Sequence, residues 1–178
     1  MAMKILIRQA KKTDYSDIKN VVEQAFRDEK FSDQTKHELV ERLRKSNVYI
    51  PELSLVATFD DIIVGHILLT EVDIVDKDKI HRSLALAPVS VLPKYQKQGI
   101  GAMLIKNAHS RARELKFTSV VLIGHEAYYP RFGYELSTDY NINFPFDVPK
   151  ENAFVKKLVA NGLSGVTGLV TYPPEFGI

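Results

Sequence analysis

LALAPVSVLPKYQKQGIGAMLIKNAHSRAREL, at residues 84–115, predicts a strand, a glycine turn and a helix in succession. Residues 84–91 are nearly all apolar, which suits a strand buried on both faces. Pro93 ends that strand, because proline has no N–H for the ladder and restricts the residue before it. After the turn, apolar residues recur at the spacing of one helix face. They are Ile100, Leu104, Ala108, Ala112 and Leu115.

The turn QKQGIG, residues 96–101, has the features of a phosphate-binding site. A helix that begins there offers unpaired backbone N–H groups and the positive end of its dipole. Gly99 and Gly101 lack a Cβ, so phosphate oxygens can come close to the backbone. Ala102 excludes a Walker A loop, and Leu104 stands where a dinucleotide fingerprint needs its third glycine. A tight turn whose glycines serve packing alone is the other interpretation.

The remaining pattern, Gln-x-x-Gly-x-Gly between a proline-ended strand and an amphipathic helix, resembles the acyl-CoA pyrophosphate loop of the GNAT superfamily of N-acetyltransferases. The resemblance implies acetyl-CoA as cosubstrate. It places the phosphates on the turn and pairs the pantetheine amides with the backbone of the preceding strand, like an added strand. For that, the fourth and fifth strands, which run parallel, must splay apart. The implied cofactor-binding residues are Val89, Ser90, Val91, Gln96, Lys97, Gln98, Gly99, Ile100 and Gly101.

A second motif, YYPRFGY at residues 128–134, resembles the Phe-Tyr-x-x-x-Gly-Phe pattern of the same family, with tyrosine for phenylalanine at both ends. The resemblance implies that Tyr129 is catalytic and lies near the thioester sulfur. A phenol there could donate a hydrogen bond or a proton to the departing CoA thiolate. The alternative is an aromatic patch that packs a helix on the sheet, and Tyr128, Phe132 and Tyr134 are assigned to it. Pro130 limits the helix to one that starts near Tyr129 or to a single turn.

The general base that would deprotonate the acceptor amine is left open among Glu71, Asp73, His125, Glu126 and water. His66, inside an apolar run, is interpreted as a partly buried strand histidine rather than as a base. No metal site is predicted, since the histidines show neither His-x-x-x-His nor a carboxylate spacing that suits a metal. The absence of cysteine excludes disulfides, thiolate metal sites and a covalent cysteine–acyl intermediate.

Length and composition fit one domain over residues 1–178, with 45% hydrophobic and 26% charged residues. A formal net charge of +2 without a long basic block argues against nucleic acid as a partner. No run approaches the roughly 20 apolar residues of a membrane span. MAMKILIRQAKK has too short an apolar run for a signal peptide. A cytoplasmic location is therefore the expectation, and a homodimer is left open.

The chain as a whole predicts an α/β fold, a mixed and mostly antiparallel sheet of about six to seven strands with helices on both faces. Thr13 or Asp14 would cap a first helix, and Ser32 or Asp33 a second. Residues 73–83 are predicted as a polar loop between strands. The predicted strands are residues 4–9, 53–59, 62–72, 84–91 and 119–123, with 140–146, 153–159 and 165–171 as weaker candidates.

The C-terminal segment AFVKKLVANGLSGVTGLVTYPPEF, residues 153–176, resembles the YhbS-type branch of predicted N-acetyltransferases. The function implied is transfer of the acetyl group of acetyl-CoA to a primary amine, by direct attack in a ternary complex. The acceptor is left open between a small-molecule amine and an amine of a peptide or protein. The alternative is a non-catalytic acyl-CoA-binding module that regulates a partner. Release of CoA thiol in the presence of an amine would distinguish the two.

Overall fold

The computed structural model describes residues 2–30 and 32–178, and within them the chain forms one sheet of nine strands with three α-helices. The helices are α1 (Tyr15–Phe26), α2 (Lys36–Arg44) and α3 (Ile100–Glu114). The strands are β1 (Leu6–Gln9), β2 (Ser54–Phe59), β3 (Ile62–Asp76), β4 (Lys79–Val91), β5 (Ser119–Ile123), β6 (Glu135–Leu136), β7 (Ile142–Asn143), β8 (Ala153–Lys157) and β9 (Gly168–Thr171). None of the helices in this described part could cross a membrane.

The strands lie in the order β1-β2-β3-β4-β5-β8-β6, with β9 paired to β3 and β7 paired to β9. This is the predicted mixed sheet, and the two shortest strands, β6 and β7, have two residues each. The predicted hairpin is β2 and β3, which turn at Asp60 and Asp61. Side chains alternate across the sheet, so Ile67 packs with α3 while Leu68 packs with α1 and α2. Helices therefore cover both faces, as predicted.

The predicted loop at residues 73–83 is wrong, because these residues belong to a long hairpin. β3 continues to Asp76, and its last residues pair with β4 from Lys79 onward. β9, which comes much later in the chain, pairs with the same end of β3. Ile74 is buried there in a cluster that includes Val170 of β9. The local sequence is polar and contains no sign of this distant partner.

β4 and β5 are parallel neighbours only where Leu84 meets Val120 and Ala85 meets Val121. After that point β5 stays paired with β8, along its whole length, on its other side. The register between β3 and β4 shifts between Leu86 and Val89. Past Ala85, the outer edge of β4 has no neighbouring strand among the described residues. This confirms the predicted splay of the fourth and fifth strands.

The predicted capping residues of α1 and α2 form hydrogen bonds with the segments that precede the helices. The Asp14 carboxylate accepts two hydrogen bonds from Arg8, at 2.6 and 3.0 Å, and one from the Lys11 N–H at 2.7 Å. The Arg8 contacts hold the pKa of Asp14 below its usual value. At the second helix, Thr35 stands at the cap position, and Asp33 accepts its backbone N–H at 3.0 Å. Neither carboxylate caps its helix in the predicted way.

Candidate active site

A cleft opens where β4 and β5 separate, and we call it the β4–β5 cleft. Its volume is about 430 Å³, a size typical of small-molecule sites. One wall is formed by β4, a second by the end of β5 and the turn after it, and a third by α1, α2 and their connection. The lining residues are Phe26, Glu29, Lys36, Leu39, Leu86, Ala87, Pro88, Val89, Ile123, Gly124, His125, Tyr128 and Tyr129. Val89 and Tyr129 are the predicted site residues among them.

The glycine turn before α3 adjoins this cleft through the side chain of Tyr128. Gly99 stands just before the helix with a φ of +82°, a conformation that residues with a Cβ rarely adopt. Gly101 has another role, because a Cβ there would lie 3.0 Å from the Tyr128 hydroxyl and 4.0 Å from Val91. Tyr128 also lines the β4–β5 cleft. Its side chain therefore joins the turn to the cleft.

The side chains of the other predicted residues of the turn lie in different surroundings. The Gln96 amide donates a hydrogen bond to the Val91 carbonyl at 3.0 Å, which holds the turn against the end of β4. Ile100 is buried in the core beneath α3, so only its backbone could contact a ligand. Lys97 and Gln98 are exposed to solvent. None of these side chains lines the cleft.

Ser90 presents its backbone, rather than its hydroxyl, at the edge of the cleft. Its side chain lies beside that of His66, to which it is paired across the ladder. His66 is fully buried, and its Nε2 lies 3.1 Å from the Ser54 hydroxyl. Burial lowers the pKa of His66 to about 3, so the ring is neutral at neutral pH. The interpretation of His66 as a strand histidine is confirmed, but the ring is fully rather than partly buried.

Tyr129 begins a single 3-10 turn, Tyr129–Phe132, which has a proline in its first turn as predicted. Its ring packs nearly perpendicular to Tyr128, at 5.1 Å between centroids, and to Tyr134, at 5.8 Å. It also covers Gly124, where any Cβ would overlap the ring. Burial raises the pKa of Tyr129 above its ordinary value, so the phenol stays protonated at neutral pH. The wall of the cleft thus contains a firmly packed phenol.

A family model described as an acetyltransferase (GNAT) domain matches residues 6–137 of this chain. The chain belongs to the GNAT acetyltransferase family. It is similar to the uncharacterized N-acetyltransferase YjhQ of Escherichia coli K12, with 35% identity over 145 residues that cover 79% of this chain and 76% of YjhQ. It is also similar to the uncharacterized N-acetyltransferase YhbS of the same strain, with 31% identity over 147 residues that cover 82% of this chain and 86% of YhbS.

Two solved GNAT structures extend the likeness over nearly the whole chain. The structure of YhbS from Escherichia coli in complex with CoA matches with a TM-score of 0.89 and 27% identity, covering 100% of this chain and 94% of that one. A GNAT acetyltransferase from Brucella melitensis in complex with acetyl-CoA matches with a TM-score of 0.80 and 29% identity, covering 98% and 99%. The protein is thus a GNAT acyltransferase whose acceptor is an amine, and the predicted likeness to YhbS is confirmed.

Tyr134 stands where the GNAT pattern quoted above has phenylalanine, and the structure gives the reason. Its hydroxyl lies 2.7 Å from Nε2 of His109 on α3, and both residues are buried. Burial lowers the pKa of His109 to about 3, so the ring is neutral and the pair carries no charge. The sequence pattern predicts only a packing role for Tyr134 and does not reveal this hydrogen bond. A tyrosine in place of phenylalanine is the only local sign of it, because its partner lies on a separate helix.

The structure separates the candidate bases of this GNAT site. Glu71 and Asp73 line a different pocket of about 160 Å³ beside β9. Glu126 is exposed and does not line the cleft, whereas His125 does. The Nδ1 atom of His125 accepts the backbone N–H of Ala127 at 3.2 Å. In the neutral ring that contact assigns the proton to Nε2, which is then a donor and not a base.

The α1–α2 side of the cleft was not predicted residue by residue. Phe26, Glu29, Lys36 and Leu39 line it, and the Lys36 ammonium stands 5.1 Å from the centre of the Phe26 ring. These residues belong to no motif, and they reach the cleft only because α1 and α2 pack on β3. The sequence therefore contains no local signal that would select them from other helix and loop residues.

Proposed function

We propose that this GNAT enzyme transfers the acetyl group of acetyl-CoA to a primary amine in a ternary complex. The observation that carries the proposal is the outer edge of β4, which is unpaired past Ala85 in the described chain and leads to the glycine turn. The backbone of Val89, Ser90 and Val91 would pair with the pantetheine amides as an added strand. The backbone N–H groups at residues 99–101 would face the pyrophosphate. The CoA and acetyl-CoA complexes of the two similar structures support this arrangement.

The reaction needs few groups from the protein. The amine nitrogen attacks the thioester carbonyl carbon, the new C–N bond forms, and the C–S bond breaks to release a thiolate. Tyr129 would donate a hydrogen bond or a proton to that sulfur. Positioning of the amine and polarisation of the thioester carbonyl by backbone N–H groups would contribute the rest. The proton lost by the amine balances the proton gained by the thiolate.

We favour water over a side chain as the first acceptor of the amine proton. His125 is the one predicted base residue that lines the cleft, and its hydrogen bond with Ala127 leaves Nε2 as a donor in the neutral ring. Glu71 and Asp73 lie in the other pocket. A water molecule in the cleft could pass the proton to solvent without a dedicated base.

Two measurements test the proposal. Acetyl-CoA at a hundredfold excess over its dissociation constant should stabilise the fold by about 2.7 kcal/mol, which is seen as a raised melting temperature. ATP and NAD should do much less, because they lack the pantetheine that pairs with β4. Acetyl-CoA-dependent thiol release should then be screened over a broad panel of amines. Binding without release for any amine would favour the non-catalytic acyl-CoA-binding module, and no binding at all would refute the assignment of the β4 edge.

A further inference from the structure

The α1–α2 side of the β4–β5 cleft carries one carboxylate and one ammonium group. Glu29 follows α1, Lys36 begins α2, and apolar Phe26 and Leu39 line the same side. The Phe26 ring holds the Lys36 ammonium through a cation–π contact of 5.1 Å. Neither Glu29 nor Lys36 forms an ion pair with another side chain within residues 2–30 and 32–178. Hydrogen bonds from Thr35 and, to a lesser extent, the charge of Lys36 lower the pKa of the exposed Asp33, but among the described residues neither Lys36 nor Glu29 is held in an ion pair, so both charges are available to a ligand.

The opposite walls hold the groups assigned to acetyl transfer. Val89 belongs to the free edge of β4, and Tyr129 lies on the turn after β5. An acceptor with its amine at those walls would extend toward Glu29 and Lys36. Because the cleft of about 430 Å³ must also take the thioester end of the cosubstrate, the part of the acceptor that enters it is small.

The charge pattern discriminates among classes of small amine. A polyamine would place extra positive charge beside Lys36, with Glu29 as the single carboxylate on the cleft wall. An amine with no other charge would cover Lys36 without pairing it, which costs free energy. A molecule with an amine and a carboxylate can pair its carboxylate with Lys36 while its amine reaches the thioester, and an apolar body suits Phe26 and Leu39.

We propose that the acceptor is a small amino acid-like molecule, an amine that carries its own carboxylate and an apolar side chain. Lys36 pairs with the carboxylate through a charge-assisted hydrogen bond, and Glu29 attracts the ammonium before it loses its proton. The C–S bond of the thioester is exchanged for an amide C–N bond, so the products are an N-acetyl amino acid and CoA thiol. This inference rests on the proposed acetyl transfer and names its substrate class.

The test compares kcat/KM for L-leucine and L-phenylalanine with that for their carboxamides and for putrescine. The native protein should prefer the carboxylates over the carboxamides by about 10-fold or more, as expected for a hydrogen bond to a charged group. All values are compared per unprotonated amine, because the amine of a carboxamide is more fully deprotonated at neutral pH than that of the amino acid.

Two variants locate that preference at Lys36. Lys36→Met keeps an unbranched side chain beside Phe26 and removes the charge, so the ratio should fall to near one. Lys36→Glu should shift the preference toward putrescine. Lys45→Met is the matched control, because Lys45 is exposed at the other end of α2 and should leave the ratio at its native value. Circular dichroism of each variant checks that it folds.

Equal kcat/KM per unprotonated amine for leucine and leucinamide in the native protein would overturn this proposal, and this comparison needs no variant. A preference that survives in folded Lys36→Met would overturn the role of Lys36 and with it the substrate class. Thiol release with putrescine but with no amino acid would reject the substrate class and leave acetyl transfer standing. No release with any amine of the broader panel would reject both.

Discussion

Tyr129 and Tyr128 are adjacent in the chain and both line the cleft, but their surroundings differ. Tyr129 is the more deeply packed, whereas the Tyr128 hydroxyl lies beside Gly101 at the glycine turn. If Tyr129 serves the departing thiolate, Tyr129→Phe should lower kcat by roughly 10²–10⁴-fold, the usual range for acid–base catalysis. Steady-state kinetics with a confirmed acceptor would measure this, and the KM for acetyl-CoA should change far less.

Two other tyrosines make this prediction specific. Tyr128→Phe should act mainly on the affinity for acetyl-CoA, because its hydroxyl adjoins the turn rather than the buried part of the wall. Tyr140→Phe is a control outside the cleft, where the hydroxyl bonds Glu135 at 2.8 Å. Wild-type turnover in folded Tyr129→Phe would reject the catalytic role and leave the aromatic patch as the better account.

The hydrogen bond between Tyr134 and His109 predicts that Tyr134 contributes more to stability than the packing of its ring alone. Tyr134→Phe should reduce the free energy of unfolding by about 1–3 kcal/mol, because it leaves a buried ring nitrogen without a partner. Urea denaturation would measure the loss. Adding His109→Leu should recover part of it, since the unpaired nitrogen is then removed too. If the single and double variants lose equal amounts, the hydrogen bond is not the cause.

At the scale of elements, the strand–turn–helix unit of β4 and α3 could be predicted because all of its determinants are local. The apolar run, Pro93 and the glycines act within a few residues of their own positions. The extension of the β3–β4 hairpin could not be predicted in this way. Its residues 73–83 are mostly polar, and residues 73–75 pair with β9, a strand from the far end of the chain, as well as with β4.

The glycine turn before α3 leads to a prediction about Gly101, which begins the helix and adjoins the cleft. Gly101→Val should lower acetyl-CoA affinity by roughly 10-fold or more, because its branched side chain enters the space beside the Tyr128 hydroxyl and crowds the cleft. The helix should persist, since valine is no poorer than glycine as a helix former. Met103→Val is the control, because it introduces the same valine at a partly exposed position in the same turn of the helix. Calorimetric titration that finds native affinity in folded Gly101→Val would contradict the phosphate-turn assignment.

For the whole molecule, the site is assembled from segments that are far apart in sequence. The resemblance of two motifs selected the β4 edge, the glycine turn and Tyr129, and in the structure Val89 and Tyr129 line one cleft while Gly101 lies beside the Tyr128 hydroxyl. The α1–α2 wall was not predicted, because Glu29 and Lys36 come to line the cleft only when α1 and α2 pack against the rest of the fold. The separation of Glu71 and Asp73 from the cleft likewise depends on where β9 pairs. Both are consequences of tertiary packing rather than of local pattern.

The buried histidines make the stability of the whole fold sensitive to acid. His66 and His109 each have a pKa of about 3 in the folded protein because of burial, against an ordinary value of 6.5. Between these values the unfolded chain binds more protons than the folded one, so stability falls as the pH decreases. Each histidine contributes a slope of up to about 1.4 kcal/mol per pH unit.

Urea denaturation at pH 7, 6 and 5 would measure this slope over roughly the upper half of the range between the folded and unfolded pKa values. The lowered pKa of Asp14 affects stability mainly below its ordinary value of 3.8, whereas burial also lowers the pKa of His81, which adds to the total slope. The double variant Tyr134→Phe with His109→Leu lacks one of the two buried rings. Its slope below pH 6.5 should be smaller by up to about 1.4 kcal/mol per pH unit. A slope equal to that of the native protein would mean that His109 is not held neutral in the folded state.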